Sequence, residues 1–299
     1  SRTMSSRLEL DSALARCAEI VHRRPTHLGS AAAGLNDARR RALFLASYAS
    51  MRIADDLVDE QFLTGPKEER VSQRPRVQAA LRRWLLQSEW AAEGRFEADA
   101  DSLEPELFTA LSELLGPTQL NAEPWQKLAA SLARDLDERP VQDWEDFLGY
   151  CEGACIAPAS VFVYIVSARF DGFGGSRFRV AAAPREYARD LAIYSYLVHM
   201  RRDLLADARR SSQLVLLPRD WMIADGLDES EAMAALREGE LGPLGTTLAR
   251  LAEETEIYRA RALRSLDRAE SELGVEAALS LRSILRLYEA TARSTSQSN

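Results

Sequence analysis

The sequence predicts an all-α protein, a single domain built as a bundle of helices. Apolar residues recur at the three- and four-residue spacing of helices along almost the whole chain. Only the run from Gln213 to Leu217 has the composition of a strand, and one strand cannot build a sheet. No linker or internal repeat divides the 299 residues, so we expect residues 1–299 to form one domain.

Helix-starting and helix-stopping residues mark the ends of the periodic segments. One strongly periodic segment begins at Asn36, a residue type that caps helices, and continues through Asp59 until Gly65-Pro66 stops it. Further helices are predicted over 67–95, 103–115, 121–138, 143–170, 185–209, 228–238 and 244–293, the last being split near Gly274.

The charged residues narrow the range of functions. The chain carries 38 Lys+Arg against 46 Asp+Glu, a formal net charge of −8, which argues against nucleic acid as a partner. Only two of the cationic residues are lysines, Lys67 and Lys127, and there are three histidines. A catalytic lysine Schiff base therefore has almost no candidate, and we expect the chemistry to depend on carboxylates and arginines.

The cysteines and the apolar segments indicate the compartment. An odd number of cysteines, Cys17, Cys151 and Cys155, without a secretory signal predicts free thiols in the reducing cytoplasm. The longest apolar run, about 15 residues over 154–168, is too short to span a membrane. The basic stretch at 39–41 is expected to face solvent, with peripheral contact to an anionic membrane as the alternative.

Two acidic clusters, at 52–60 and 199–207, carry the strongest chemical signal. Each contains two aspartates four residues apart, namely Asp55 with Asp59 and Asp203 with Asp207. On a helix each pair lies on one face, where like charges cost roughly 0.2–0.5 kcal/mol, so the repetition points to a function. Two such faces, opposed across a bundle, would hold Mg²⁺, with Mn²⁺ as an alternative, together with a diphosphate substrate.

A purely structural interpretation stays open for each cluster. Either acidic run can be a solvated helix face whose carboxylates pair with nearby arginines such as Arg52 and Arg202. Asp135 and its acidic neighbours, up to position 138, are expected on the surface for the same reason. The glycine-rich loop at 171–175 follows a helix and not a strand, which argues against a dinucleotide site.

Longer segments around both clusters resemble a known family. The segment Tyr48–Glu60 resembles the first aspartate-rich motif of squalene and phytoene synthases. The segment from His199 through Leu217-Pro218 to Leu227 resembles their second motif with the loop that follows it. Tyr150-Cys151 resembles the helix between the motifs, and the similarity extends over about 25–290 in the family's order and spacing.

The resemblance implies the all-α isoprenoid-synthase fold, a helical bundle around a central cavity, and a prenyltransferase. Its reaction would be the Mg²⁺-dependent head-to-head condensation of two allylic prenyl diphosphates, farnesyl or geranylgeranyl, through a cyclopropyl diphosphate intermediate in carotenoid or triterpenoid biosynthesis. The allylic cation needs a dry cavity, to which the apolar run over 154–168 can contribute a wall. The absence of an NADPH-binding signature favours phytoene synthesis or a non-reductive squalene-pathway step.

The resemblance also assigns roles by position. The metal ligands would be Asp55, Asp59, Asp203 and Asp207. Arg52 and Arg202 would bind diphosphate and assist catalysis. The catalytic tyrosines would be Tyr48 and Tyr150, in the upper cavity, and Tyr288. The guanidinium fork of arginine suits diphosphate oxygens.

The chain departs from the family's pattern at two candidate substrate-binding positions. His199 stands four residues before the first aspartate of the second motif, where the family usually has asparagine; an imidazole there can bind metal, donate to phosphate or simply pack. The family's N-terminal diphosphate grip normally has a lysine, whereas Thr26–Ala31 offers only His27. Pro158 stands in a helix that the family keeps flexible with glycine.

Two other functions are compatible with the same fold. A single-substrate terpene cyclase needs only one diphosphate, so it would tolerate the changes at His27 and His199. A catalytically silent scaffold has no need for four mutually repelling aspartates, which argues against it. Identification of the products separates these hypotheses, and the sequence leaves the substrate chain length open.

Overall fold

α-Helices form almost all of the regular structure. The computed structural model describes residues 4–24, 26–172, 175–210 and 216–297. The helices are α1 (Met4–His22), α2 (His27–Ala32), α3 (Ala38–Asp55), α4 (Lys67–Ala92), α5 (Pro105–Leu115), α6 (Glu123–Leu136), α7 (Trp144–Cys151), α8 (Ala157–Ser167), α9 (Pro184–Arg210), α10 (Arg219–Ala224), α11 (Glu229–Glu238), α12 (Gly245–Leu273) and α13 (Val275–Gln297). The all-α prediction is confirmed.

Two helices continue into π-helical segments. The first, π1 (Asp56–Phe62), follows α3, and the second, π2 (Glu152–Ile156), joins α7 to α8. At the end of π1 the backbone N–H of Leu63 donates to the carbonyl of Val58, five residues back, at 2.9 Å. The prediction of a regular α-helix through Asp59 is therefore wrong in its last turn. Such wider turns occur frequently at functional sites.

Local capping chemistry sets the helix ends. Asp37, and not Asn36 as predicted, caps α3, because its Oδ1 accepts the backbone N–H of Arg39 at 2.8 Å. The predicted split near Gly274 is confirmed, and this residue separates α12 from α13 with a φ of 99°. Glycine adopts that conformation without the steric cost that a Cβ would add.

The strands of the described residues form one short antiparallel pair, β1 (Arg169–Phe170) and β2 (Ser176–Arg177), which the sequence did not predict. Two-residue strands are too short to produce an alternating pattern. The predicted strand-like run that starts at Gln213 falls partly on residues 211–215, which lie outside the described residues.

Buried tryptophans fix the helix that carries the first aspartate motif. Trp84 of α4 donates its indole N–H to the carbonyl of Ser50 at 2.7 Å, and Trp125 of α6 donates to the Ser50 hydroxyl at 3.0 Å. Both indoles are buried, so these bonds satisfy polar groups that would otherwise cost free energy. Asp55 lies about one turn further along α3, and its position therefore depends on packing against two other helices.

The helical stretch Trp144–Ser167, which comprises α7, π2 and α8, is long and apolar enough to cross a membrane. Within the described part of the chain it is the one stretch that meets this criterion, and 67% of its most apolar window is buried in the protein. A core helix meets the same criterion, so the finding is weak evidence for a membrane span. α8 packs against α3, α6, α9 and α13, which makes it a central element of the core.

Gly153 of π2 is in close contact with α6. A Cβ at this position would be 2.0 Å from the carbonyl oxygen of Lys127 and 2.3 Å from the hydroxyl oxygen of Ser131. We predict that Gly153→Ala lowers the free energy of unfolding by about 1–3 kcal/mol, because α6 or π2 must move.

Gly149→Ala in α7 is the matched control, since nothing lies within 4 Å of its Cβ position and alanine favours a helix. Thermal unfolding followed by circular dichroism measures both variants. Equal melting temperatures for the two would contradict the close contact.

Candidate active site

A cavity of about 300 Å³ lies between α2, α3, the π2–α8 segment, α9 and α13. Its walls are mostly apolar, and Pro158, Phe162 and Val163 belong to the run that the sequence analysis expects to form a wall. A larger and more open groove, of about 620 Å³, lies against another face of α8. That groove contains none of the predicted site residues, so size alone does not identify the site.

Six residues singled out in the sequence line the 300 Å³ cavity, although they come from distant parts of the chain. They are His27, Tyr48, Asp55, His199, Arg202 and Tyr288. The other five candidates do not line it, and these are Arg52, Asp59, Tyr150, Asp203 and Asp207. The fold therefore brings one aspartate of the first motif to the same cavity as Arg202 and His199 of the second, while the role of each residue stays a prediction.

The first motif holds its aspartates in surroundings that disfavour negative charge. Burial and the charge of Asp59 raise the pKa of Asp55 to about 8. Burial and the charge of Glu60 raise the pKa of Asp59 to about 6, although Arg210 and Arg52 oppose this shift. A bound cation would relieve this repulsion, because it favours the ionised form of both carboxyls.

In the second motif, three side chains are joined directly. The guanidinium of Arg202 donates to both carboxylate oxygens of Asp203, at 2.8 and 2.9 Å, and its Nη2 lies 3.0 Å from Nδ1 of His199. His199 Nε2 lies 3.1 Å from Asp203. Burial lowers the pKa of His199, so its imidazole is neutral at pH 7, with Nδ1 accepting from Arg202 and Nε2–H donating to Asp203.

Asp203 and Asp207 have opposite electrostatics. Burial alone would raise the pKa of Asp203, but the contacts with Arg202 and His199 outweigh it and lower that pKa. Burial and the charge of Asp203 raise the pKa of Asp207. Asp203 is therefore stabilised in its ionised form, whereas Asp207 has a raised pKa, like Asp55 and Asp59 of the first motif.

Salt bridges connect the two motifs at Glu60. Arg24, just after α1, donates to Glu60 at 2.6 Å and to Asp56 at 2.7 Å. Arg210, at the end of α9, donates to Glu60 at 3.0 Å. Arg52 points to Asp56, at 3.3 Å, rather than into the cavity. Glu60 of the first motif segment is thus joined by a salt bridge to Arg210, which follows the aspartates of the second.

The N-terminal stretch also reaches the cavity. Thr26 caps α2 and accepts the hydroxyl proton of Tyr48 at 3.0 Å. His27 Nε2 lies 3.0 Å from the Thr291 hydroxyl, and its ring meets that of Tyr288 edge to face at 4.4 Å. Burial and the charge of Arg202 lower the pKa of His27, which favours a neutral ring at the cavity wall.

Asp135 is buried, so the expectation that it lies on the surface is wrong. It is only 3% exposed, and its Oδ2 accepts the hydroxyl proton of Tyr150 at 3.0 Å. Burial and the charge of Asp59 raise its pKa well above the usual value. Leu128 and Leu132 precede it at helical spacing on the buried face of α6, and this periodicity is the signal that could have found it.

Arg24 is the second residue that sequence reasoning missed, and Arg210 lay within the second segment but received no role. Their partner Glu60 is 36 and 150 residues away, respectively. No local pattern reports contacts of that range, so only the fold reveals them.

The resemblance implies Mg²⁺, whose protein ligands would be the aspartate carboxylates of the two motifs. Among the described residues, no group of three or more His, Cys, Asp or Glu side chains is arranged to hold a metal ion. Mg²⁺ does not require such a cage, since it commonly takes one or two carboxylates and completes its shell with water and substrate phosphates. The all-oxygen, mutually repelling aspartate pairs therefore fit Mg²⁺, with substrate supplying the remaining ligands.

The raised pKa values predict how stability depends on pH. In the unfolded chain these carboxyls titrate near 4, whereas folding raises the pKa of Asp59 to about 6 and that of Asp55 to about 8. At these two carboxyls the folded state binds more protons in this window, so their contribution to the free energy of unfolding of the metal-free protein decreases as pH rises from about 4 to 8. Asp55→Asn should flatten this decrease.

Melting temperatures at pH 5 and pH 8 measure the effect in wild type and in Asp55→Asn. The exposed Asp137→Asn serves as the control and should keep the wild-type slope. A wild-type slope in Asp55→Asn would show that Asp55 is not destabilised by its surroundings.

Comparisons with known proteins identify the family and the fold. The family model for squalene/phytoene synthase matches residues 26–298. A phytoene synthase of Cereibacter sphaeroides is 30% identical over 220 residues, which are 73% of this chain and 55% of that relative. The chain thus spans about half the length of this curated relative.

Two solved structures share the fold. The squalene synthase HpnC from Alicyclobacillus acidocaldarius superposes with a TM-score of 0.72 at 17% identity, covering 97% of this chain and 95% of that one. A dehydrosqualene synthase in complex with a ligand gives a TM-score of 0.69 at 19% identity, covering 94% and 85%. Because the family model matches residues 26–298, almost the whole chain, this chain belongs to the squalene/phytoene synthase family.

Proposed function

We propose that this protein is a prenyltransferase of isoprenoid biosynthesis that condenses two allylic prenyl diphosphates head to head. The observation that carries the proposal is one apolar cavity where Asp55, Arg202, His199 and three tyrosines meet. Farnesyl or geranylgeranyl diphosphate would be the substrate and a cyclopropyl diphosphate the intermediate. A phytoene-type or other non-reductive product is favoured, and NADPH is not indicated.

The charged residues would bind and hold the diphosphate. Arg202 lines the cavity, and its guanidinium fork suits diphosphate oxygens. Three further arginines form salt bridges with Asp56 and Glu60 of the first motif. They are Arg24, Arg52 and Arg210. A diphosphate carries more charge than either carboxylate, so it can compete for these guanidiniums when it enters.

Mg²⁺, held by the aspartates of both motifs, would neutralise the leaving diphosphate and so assist the cleavage of the allylic C–O bond. Asp203 is ionised and oriented by Arg202, whereas Asp55 and Asp59 bind a cation with the added gain of relieving their repulsion. His199 keeps Arg202 and Asp203 in place by contacting both.

The cavity wall would protect the cation after the diphosphate leaves. Phe162 and its apolar neighbours exclude water, and the rings of Tyr48 and Tyr288 offer negative π faces to positive charge. The hydroxyl of Tyr48 donates to Thr26, which fixes the orientation of the phenol at the cavity wall. We also propose a cytoplasmic location with peripheral membrane contact, where an oily product can leave.

Product analysis tests the proposal directly. Purified protein with Mg²⁺ is incubated separately with farnesyl and with geranylgeranyl diphosphate, and the products are identified by mass spectrometry. We expect a C30 or C40 hydrocarbon or the corresponding cyclopropyl diphosphate. A cyclic C15 or C20 product would instead indicate a single-substrate cyclase, and no turnover together with no diphosphate-dependent thermal shift would indicate a silent scaffold.

Substitution of the aspartates tests their role as ligands. Asp55→Ala and Asp203→Ala should each lower turnover at least about 100-fold, because charge stabilisation of the leaving group is lost. Helicity by circular dichroism should change little. Asp137→Ala, at an exposed position that ends α6, is the matched control and should retain activity. Near-normal rates in either site variant would show that the metal assignment is wrong.

A further inference from the structure

The imidazole of His27 lies at the polar end of the 300 Å³ cavity. The lining residues of α9 extend from Arg202 at this end to Ala188 at the other, about four helical turns away. Burial and the charge of Arg202 lower the pKa of His27, so the imidazole lies near that guanidinium. The ring also meets that of Tyr288 edge to face at 4.4 Å. His27 is therefore close to the place where the charged group of a substrate would bind.

Thr291 determines which nitrogen of His27 carries the proton. Its hydroxyl donates to the backbone carbonyl of Leu287 at 3.0 Å, so its oxygen is left to accept a hydrogen bond. His27 Nε2 lies 3.0 Å from that oxygen and is therefore the protonated nitrogen. Nδ1 keeps its lone pair, and no side chain or backbone group of the described residues is hydrogen-bonded to it.

The environment of His27 keeps its ring neutral. The lowered pKa means that the imidazole is uncharged at pH 7. Because its single N–H is directed to Thr291, the ring has no further donor to offer a diphosphate. What it offers to a molecule in the cavity is the lone pair of Nδ1, which can accept a proton.

Head-to-head condensation to a cyclopropyl diphosphate releases one proton. When the allylic C–O bond of the first substrate breaks, the diphosphate oxygen keeps the electron pair. The double bond of the second substrate then supplies the pair for a C–C bond to the carbon that carried the diphosphate. To close the three-membered ring, that carbon must bond to both former alkene carbons, so one of its C–H bonds breaks. The C–H electron pair forms the last side of the ring, and the proton needs an acceptor.

The proton is released at the polar end, because the reacting carbon is the one that carried the diphosphate. Other groups at this end are poor acceptors. Both ring nitrogens of His199 are engaged within the second motif. Burial raises the pKa of Tyr48, Tyr288 and Cys155, so these groups keep their protons at pH 7. In the proposed function Asp55 would bind Mg²⁺, and the cations around the leaving diphosphate would weaken it as a base.

We propose that His27 is a catalytic residue, the general base whose Nδ1 accepts the proton lost from the reacting carbon at ring closure. Thr291 is its positioning residue, because it holds Nε2–H and so leaves the lone pair on Nδ1. The imidazolium that forms then gives its proton to the departing diphosphate. This inference rests on the proposed prenyl transfer, and it assigns to His27 a role different from the diphosphate binding that the resemblance implies.

The first test is His27→Gln, which keeps a polar side chain but removes the basic nitrogen. With farnesyl or geranylgeranyl diphosphate and Mg²⁺, kcat for condensation should fall at least about 100-fold, the usual contribution of a general base. KM should change less than about twofold, since the proposed enzyme binds diphosphate at its arginines. The exposed His22→Gln is the matched control and should keep the wild-type kcat and KM.

Substrate with deuterium at the carbon that carries the diphosphate follows the proton directly. Without its base, cleavage of the C–H bond becomes the slow step, so the isotope effect on kcat should be larger in His27→Gln than in wild type. A purely structural defect would leave this isotope effect unchanged.

Thr291→Val is a second, independent variant, because it removes the acceptor of Nε2–H and keeps the shape of the side chain. It should lower kcat about tenfold, the rate equivalent of roughly one hydrogen bond, with KM unchanged.

Two results would overturn the inference while wild-type protein is active. A wild-type kcat and isotope effect in His27→Gln would show that the leaving diphosphate takes the proton. A raised KM with unchanged kcat would show that His27 binds substrate. Wild-type protein that forms no condensation product would instead overturn the proposed function, and the inference with it.

Discussion

The cost of removing neighbouring carboxylates from water is the constraint on which the rest of the site depends. Asp55 and Asp59 lie where burial and neighbouring negative charge both raise their pKa values, and Asp135 adds to the same field. The structure tolerates this because the arginines around Glu60 hold the neighbouring carboxylates between the two motifs. In the proposed enzyme, a bound cation would relieve this repulsion between groups that folding has already brought together.

The two π-helical segments explain how helices deliver these groups. α3 widens into π1 directly after Asp55, and α7 widens into π2 directly after Cys151. A regular α-helix would leave every side chain on its 3.6-residue repeat, whereas a wider turn changes the direction of those that follow. The wider turns thus lie where these two segments reach the cavity, at Asp55 and at Ala154-Cys155.

Much of the fold and part of the site could be predicted from the sequence. The helices, the break at Gly274 and the aspartate pairs depend on local periodicity, breakers and spacing, which a sequence displays directly. The π-helical turns were not predicted, because they differ from an α-helix by only one residue in the hydrogen-bonding pattern. The role of Arg24 was not predicted because its partners are distant in the sequence. The burial of Asp135 was not predicted because the acidic run was interpreted by its charge and not by its position on the apolar stripe of α6.

The missing Cβ of Gly153 has a mechanical meaning for the protein as a whole. The backbone of π2 packs directly against the Lys127 carbonyl and the Ser131 hydroxyl of α6, so a shift of α6 is transmitted to π2. A substitution on the outer face of α6, near Lys127, can then displace Tyr150 without touching it. In the proposed enzyme, variation on α6 would thereby alter which products form, although this helix contributes no residue to the cavity wall.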